Sequence, residues 1–253
     1  MKFSYILPYR HHPSRISNLE ATLDWVSSMN CEIILVEDGQ FSYLDKIKDK
    51  YKLNYTFIKN DLPFNKSWIF NIGLSKSTKD IVVFGDSDLI MDTGSILDSI
   101  SKIDQYDCVN PYSSVIDLSP EETSIYLKDR DMGYLNSIKR PGRGEFDIQK
   151  VPLCGGIVIF TREGINRING WCELFQGWGG EDDFQSMKVK HELNFYEDSF
   201  KCYHLYHERI YPNMDLYQSN LSILNYASSQ PKQAIISNFG YNHIGDQFPN
   251  VLR

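Results

Sequence analysis

The chain has 253 residues, 42% of them hydrophobic and 23% charged, with a formal net charge of -7. That is enough chain for one sizeable core, and the composition excludes a disordered tail, a collagen-like fibre and a disulfide miniprotein. The acidic balance counts against a nucleic-acid partner, because phosphate backbones are met by basic surfaces. From the N-terminus, residues 3–7 form a short apolar strand. Pro13 then opens a helix after the His11-His12 turn, with Ile16, Leu19, Leu23 and Val26 at helical spacing. A second strand over 32–36 breaks at Asp38-Gly39. A short helix (43–49), a strand (55–58) and a helix (65–76) lead to the β-branched run 80–84, which ends at Gly85. Strands alternating with helices predict an α/β fold whose parallel sheet is covered on both faces.

Open sheets of this kind bind ligands beyond the carboxyl ends of their strands. Polar clusters fall at those points: Pro8-Tyr9-Arg10, Glu37-Asp38-Gly39 and Asp86-Ser87-Asp88. The stretch 113–150 is polar, with a helix over 120–128 and a Gly-Arg-Gly turn at 142–144, and reads as a mobile loop over the site. A strand at 155–160 follows, then a helix to Ile168 capped by Thr161 and stopped by Gly170. Gly177-Trp178-Gly179-Gly180 is a loop opening a helix over 181–191. Strands at 194–196 and 201–205, an amphipathic helix at 215–227 and a polar tail complete the chain. No apolar run approaches the about 18–20 residues of a membrane span, and Pro8 and Arg10 interrupt the N-terminal patch before it makes a signal peptide. The five cysteines are widely spaced with no C-x-x-C pair. Neither a zinc site nor a disulfide framework is indicated, and a cytoplasmic location is expected.

Three groups of residues carry chemistry. Asp86 and Asp88 place two carboxylates directly after a buried strand, where a hard divalent cation with phosphate co-ligands needs few protein ligands; the alternative is an Asp turn pair. His204 and His207 add imidazoles suited to a borderline metal such as Mn²⁺, although residues three apart on a regular strand face opposite ways and both can ligate only if the chain turns. Trp178, enclosed by glycines, offers a flat floor for a sugar. Glu181, Asp182 and Asp183 either act there or only cap the helix.

In order along residues 5–213, the chain resembles GT-A glycosyltransferases of the β-1,4-galactosyltransferase group and their chondroitin-polymerase-like relatives. The resemblance rests on Ile6 to Arg10, Phe64 to Ser67 with Phe70 to Gly73, Phe84 to Ile90, Gly155-Gly156 with Ile168 to Trp171, Gly177 to Asp183, and His204 to Arg209. It implies one Rossmann-like GT-A domain with a mostly parallel central sheet and helices on both faces. Within that domain it implies a nucleotide-sugar half (1–110), an acceptor and catalytic half (111–209) and a helical extension (210–253). It implies Mn²⁺, with Mg²⁺ as the alternative, on Asp88, His207 and His204, the last standing where the family often has methionine. Pro8, Tyr9, Arg10, Asp38, Lys66, Asp86, Ser87 and Gly156 are implied in donor binding. Trp178 would touch donor and acceptor sugars, Asp182 would be the catalytic base, and Glu181 would orient the acceptor.

Leu153 stands where galactose-specific members carry tyrosine, which implies room for an N-acetyl group. The expected activity is inverting transfer of galactose or N-acetylgalactosamine from a UDP-sugar to a glycan hydroxyl. The competing expectations are a nucleobase-modifying glycosyltransferase and a non-catalytic nucleotide-sugar-binding module on the same fold. The family's animal members carry a membrane anchor and disulfides, neither of which is expected here, and 113–150 has little similarity to them. Oligomeric state is left open.

Overall fold

The computed structural model describes residues 2–143, 153, 156–208 and 213–238. The N-terminal half runs β1 (Phe3–Arg10), α1 (Ile16–Ser27), β2 (Glu32–Gly39), α2 (Asp45–Tyr51), β3 (Asn54–Lys59), α3 (Lys66–Lys76) and β4 (Ile81–Gly85). Next come β5 (Leu89–Met91), α4 (Thr93–Ser101), β6 (Cys108–Asn110), β7 (Ser114–Asp117), α5 (Pro120–Asp129) and α6 (Met132–Ser137). The remainder is β8 (Ile157–Thr161), α7 (Arg162–Arg167), α8 (Glu181–Glu192), β9 (Phe195–Glu197), β10 (Lys201–His204), α9 (Met214–Ser228) and α10 (Lys232–Asn238).

Seven strands form one sheet in the order β3-β2-β1-β4-β8-β6-β9. The β3-β2-β1-β4 half is parallel throughout, with Ile6 opposite Ile34 on one side and Phe84 on the other. β8 enters antiparallel to both β4 and β6, and β9 returns parallel to β6. Winding from β1 to β3 proceeds in one direction, and β4 then returns to the other side of β1. The sheet therefore has its switch point at β1 and β4, and ligands of such sheets lie beyond the carboxyl ends there.

The alternation of side chains along β1 sorts the core into two layers. Tyr5, Leu7 and Tyr9 pack with Leu19, Leu23 and Trp25 of α1. Ile6 packs on the opposite face with Trp68, Phe70 and Ile72 of α3. All residues from Ser67 to Leu74 are buried, so α3 is held between the sheet and the 171–173 segment. A smaller third cluster of Cys172, Phe175, Phe184, Ala227 and Ile235 seats α9 and α10 beside α8.

Several expectations need correction. The 113–143 portion is folded rather than loop: it supplies β7, α5 and α6. Ser119 and Glu122 close a capping box on α5, and β7 joins β10 and β5 in a second sheet of order β5-β10-β7. In the expected turn, Arg143 bridges Val115, and Gly144 lies outside the described residues. The helix expected from residue 43 begins at Asp45, because the Tyr43 amide is tied at 3.0 Å to the buried Glu37 carboxylate. The polar tail contains α10. The four described cysteines are free thiols, and among the described residues no helix is long and apolar enough to cross a membrane.

Candidate active site

Asn65 begins the site by ending a loop. Its side-chain oxygen accepts the Trp68 amide at 2.9 Å, which starts α3 and fixes Lys66 in its first turn. Across from it, Gly180 (φ +90) turns the chain into α8, so that Glu181 and Asp182 stand at that helix's N-terminus. The Lys66 ammonium lies 2.9 Å from Glu181 and 3.1 Å from each Asp182 oxygen, and 4.0 Å from Asp86 at the end of β4. Burial opposes the charge on Lys66, but Asp182, Asp86 and Glu181 overcome that and hold its pKa well above the ordinary lysine value. Burial pushes Asp182 up to about 7 against the pull of Lys66, with Glu181 and Asp86 adding to the rise. Asp86 is raised for the same first reason. One ammonium thus faces three carboxylates, and the remaining negative charge is what a cation would offset.

Asp88, two residues on, is buried, and its carboxylate meets two imidazoles: Nε2 of His207 at 3.4 Å and Nε2 of His204 at 3.8 Å. One donor atom from each of the three lies within 4.8 Å of the others. The histidines converge because β10 ends at His204 and the chain leaves strand geometry before His207. Their other nitrogens are occupied. His204 Nδ1 lies 2.9 Å from Asp117 Oδ1, and His207 Nδ1 lies 2.9 Å from the Glu208 carbonyl. Each Nδ1 thus has an oxygen able to accept its proton while each Nε2 faces Asp88, and Nη2 of Arg15 lies 3.3 and 3.4 Å from the two ring nitrogens of His207. Burial lowers the His207 pKa and so favours the neutral ring; burial acts the same way on His204, but Asp117 reverses it and raises the value. One carboxylate and two imidazoles are a donor set that suits a borderline divalent ion such as Mn²⁺.

A cleft of about 290 Å³ opens past the ends of β1 and β2, lined by Arg10, His11, Asp38, Tyr43, Asn60 and Leu62. Arg10 grips Asp38 with two guanidinium nitrogens and donates to the Leu62 carbonyl at 2.9 Å. Asn60 donates to Asp38 at 2.8 Å. Tyr43 lies flat against His11, with ring centroids 3.8 Å apart and planes 13° off parallel.

The structure thus gathers Lys66, Asp86, Glu181 and Asp182 in one cluster, Asp88, His204 and His207 in a second, and Arg10 with Asp38 in the cleft. Ser87 lies half-buried between the two aspartates. Gly156 accepts the Asp86 amide at 3.0 Å; at φ +109, with Tyr112 and Leu89 within 2.5 Å of any added Cβ, the position admits only glycine. The expected donor residues Pro8, Tyr9 and Leu153 have buried side chains. Pro8 and Tyr9 are buried, and Tyr9 falls on the same face of β1 as Tyr5 and Leu7, so its ring packs into the core and leaves Arg10 to face the cleft. Leu153 is 3% exposed and packed with Val158 and Trp171, lining a small cavity with Lys66 and Asp182. Trp178 is 64% exposed, with Tyr217 of α9 stacked on one side. Sequence reading missed Asp117, Asn60, Tyr217 and Asn220, none of which sits in a motif.

A doubly wound sheet with this carboxylate and histidine array at its switch point is a GT-A fold. Among solved structures, GalNAc-T7 with UDP, GalNAc and Mn²⁺ superposes with a TM-score of 0.59 at 14% identity, covering 89% of this chain and 48% of that one. Residues 7–168 match glycosyl transferase family 2, and the chain belongs to that family. Residues 145–208 also match the N-terminal domain of galactosyltransferase. A β-N-acetyl-D-glucosaminide β-1,4-N-acetylglucosaminyl-transferase of Lymnaea stagnalis is 34% identical over 82 residues, 32% of this chain and 16% of that protein. Human β-1,4-galactosyltransferase 6 is 26% identical over 147 residues, 56% of this chain and 32% of that protein. The chain therefore spans less than a third of the length of either curated relative.

Proposed function

We propose that the protein is an inverting glycosyltransferase that moves galactose or N-acetylgalactosamine from a UDP-sugar to a hydroxyl of a glycan. One observation carries the reading: the base cluster on α8 and the Asp88-His204-His207 set lie together at the switch point, joined through Lys66 and Asp86. The cleft at Arg10, His11 and Asp38 receives the uridine. Asp88, His204 and His207 would hold Mn²⁺, which would neutralise the diphosphate of the leaving nucleotide. Lys66, already charged, contributes a second positive group to that phosphate. The acceptor hydroxyl is oriented by Glu181 and gives its proton to the Asp182 carboxylate as its oxygen bonds to the sugar's anomeric carbon and UDP departs. A single displacement of this kind inverts the anomeric centre.

The matched family and the names of the two curated relatives support the transferase class, and the geometry supports the assignment of roles. The test is UDP release from UDP-galactose and UDP-N-acetylgalactosamine with Mn²⁺ or EDTA, with a saccharide panel as acceptors and mass detection of the product. Metal-dependent transfer with inverted configuration is expected. Transfer that persists in EDTA, or a product with retained configuration, would overturn the mechanism.

A further inference from the structure

Helix α9 lies outside both matched segments, yet it holds the Gly177–Gly180 loop. Asn220 is 2% exposed and spends its whole amide on that loop. Its nitrogen donates to the carbonyls of Gln176 at 2.9 Å, Gly179 at 2.9 Å and Trp178 at 3.3 Å, and its oxygen accepts the Gln176 amide at 3.3 Å. One turn earlier, Tyr217 stacks on Trp178 with ring centroids 5.4 Å apart and planes 28° off parallel. The fit is close: a Cβ on Gly179 would stand 2.9 Å from the Tyr217 ring, and one on Gly177 would meet Leu216. Trp178 is nonetheless 64% exposed. A large apolar ring that is both exposed and braced from behind is prepared for a partner, since the ordering of its side chain is already done in the free protein. It stands three residues before Glu181, on the loop that opens α8.

We propose that α9 is a wall of the site: Tyr217 and Asn220 are positioning residues that brace Trp178, the ring that the family resemblance sets against the acceptor sugar, as a fixed platform for its pyranose ring. This rests on the transferase reading above, because it assigns the platform to the acceptor rather than to the nucleotide. The apolar face of a pyranose packs flat on an aromatic ring, and the side of the indole away from Tyr217 is the one left for it. Loss of the brace should therefore weaken acceptor binding without touching donor or metal.

The experiment uses the full chain with Mn²⁺ and UDP-sugar. UDP release is measured without acceptor and then with a panel of methyl glycosides and disaccharides. Tyr217→Ala is expected to raise the acceptor KM about threefold to tenfold, with UDP-sugar KM and acceptor-free UDP release unchanged, and Tyr217→Phe, which keeps the stacking face, is expected to restore it. Asn220→Ala should do the same and should speed hydrogen exchange of the Gly177–Gly180 amides; a melting curve separates this from general unfolding. Unchanged acceptor KM in Tyr217→Ala, or an equal rise in donor KM, would overturn the proposal. So would a panel in which no saccharide raises UDP release above the water rate although UDP still binds with Mn²⁺. Failure of the wild type to bind UDP with Mn²⁺ would instead overturn the transferase reading itself.

Discussion

As the proposed base, Asp182 would have to be ionised to accept a proton, yet burial has moved its pKa up to about 7 while Lys66 pulls it down. The sign is direct. Below that value the carboxyl carries its own proton and cannot take another, so kcat/KM should fall about tenfold per pH unit on the acid side and level off above neutrality. Lys66→Met removes a lowering influence, so the acid limb should move to higher pH. Asp182→Asn should abolish the limb and reduce transfer about 10²–10⁴-fold, with UDP and Mn²⁺ binding retained by calorimetry; near-normal turnover would exclude the residue as base. Asp117 presents the second residue-scale case. It accepts from His204 Nδ1 and is held in turn by Arg143 at 2.8 Å. Asp117→Ala frees the ring to rotate and change tautomer. Mn²⁺ affinity, read by titration, is expected to weaken about 10–100-fold, as is usual when such a partner is lost.

At the scale of elements, α3 shows how closely the site depends on packing. Gly73 faces β1, and a Cβ there would lie 2.2 Å from Cγ2 of Ile6, a branched methyl that is fully buried with nowhere to move. Alanine gains up to about 1 kcal/mol in helix propensity, while overpacking a dense core costs about 1–3 kcal/mol. The clash decides the sign, and Gly73→Ala should be less stable in urea by about 1–2 kcal/mol. The parallel strands were legible because strands buried on both faces read as unbroken apolar runs. By contrast β5 and β6 have only three residues each, too few for any periodicity to register. The site divides similarly. Asp88, Asp182 and the histidines declare themselves by residue type next to strand or helix ends. Asp117 lies 87 residues from His204, and Asn220 lies 44 from Gln176, so only the folded chain shows that they serve the site. The strand alternation that puts the Tyr9 ring with Tyr5 and Leu7 was readable from the sequence as well.

Across the whole molecule, the Asp88-His204-His207 set is a joint between the two sheets. Asp88 lies between the main-sheet strand β4 and the small-sheet strand β5, and both histidines come from β10 or just beyond it. The main chain makes the same connection, with the Leu205 amide donating to the Asp88 carbonyl at 2.9 Å. A divalent ion held by all three side chains would therefore bind the native arrangement and not the unfolded chain, and its affinity would add to global stability. At an ion concentration of 100 times Kd the gain is about 2.7 kcal/mol. For a chain of this size each kcal/mol moves Tm by about 2–4 °C, so Mn²⁺ should raise Tm by about 5–10 °C and EDTA should reverse it. Asp88→Ala keeps the backbone hydrogen bond to Leu205 but removes the only carboxylate of the set, so the variant should fold and lose most of the Mn²⁺-induced shift. A full shift in Asp88→Ala would place the stabilising ion elsewhere, with the Lys66, Glu181 and Asp182 cluster the next site to probe.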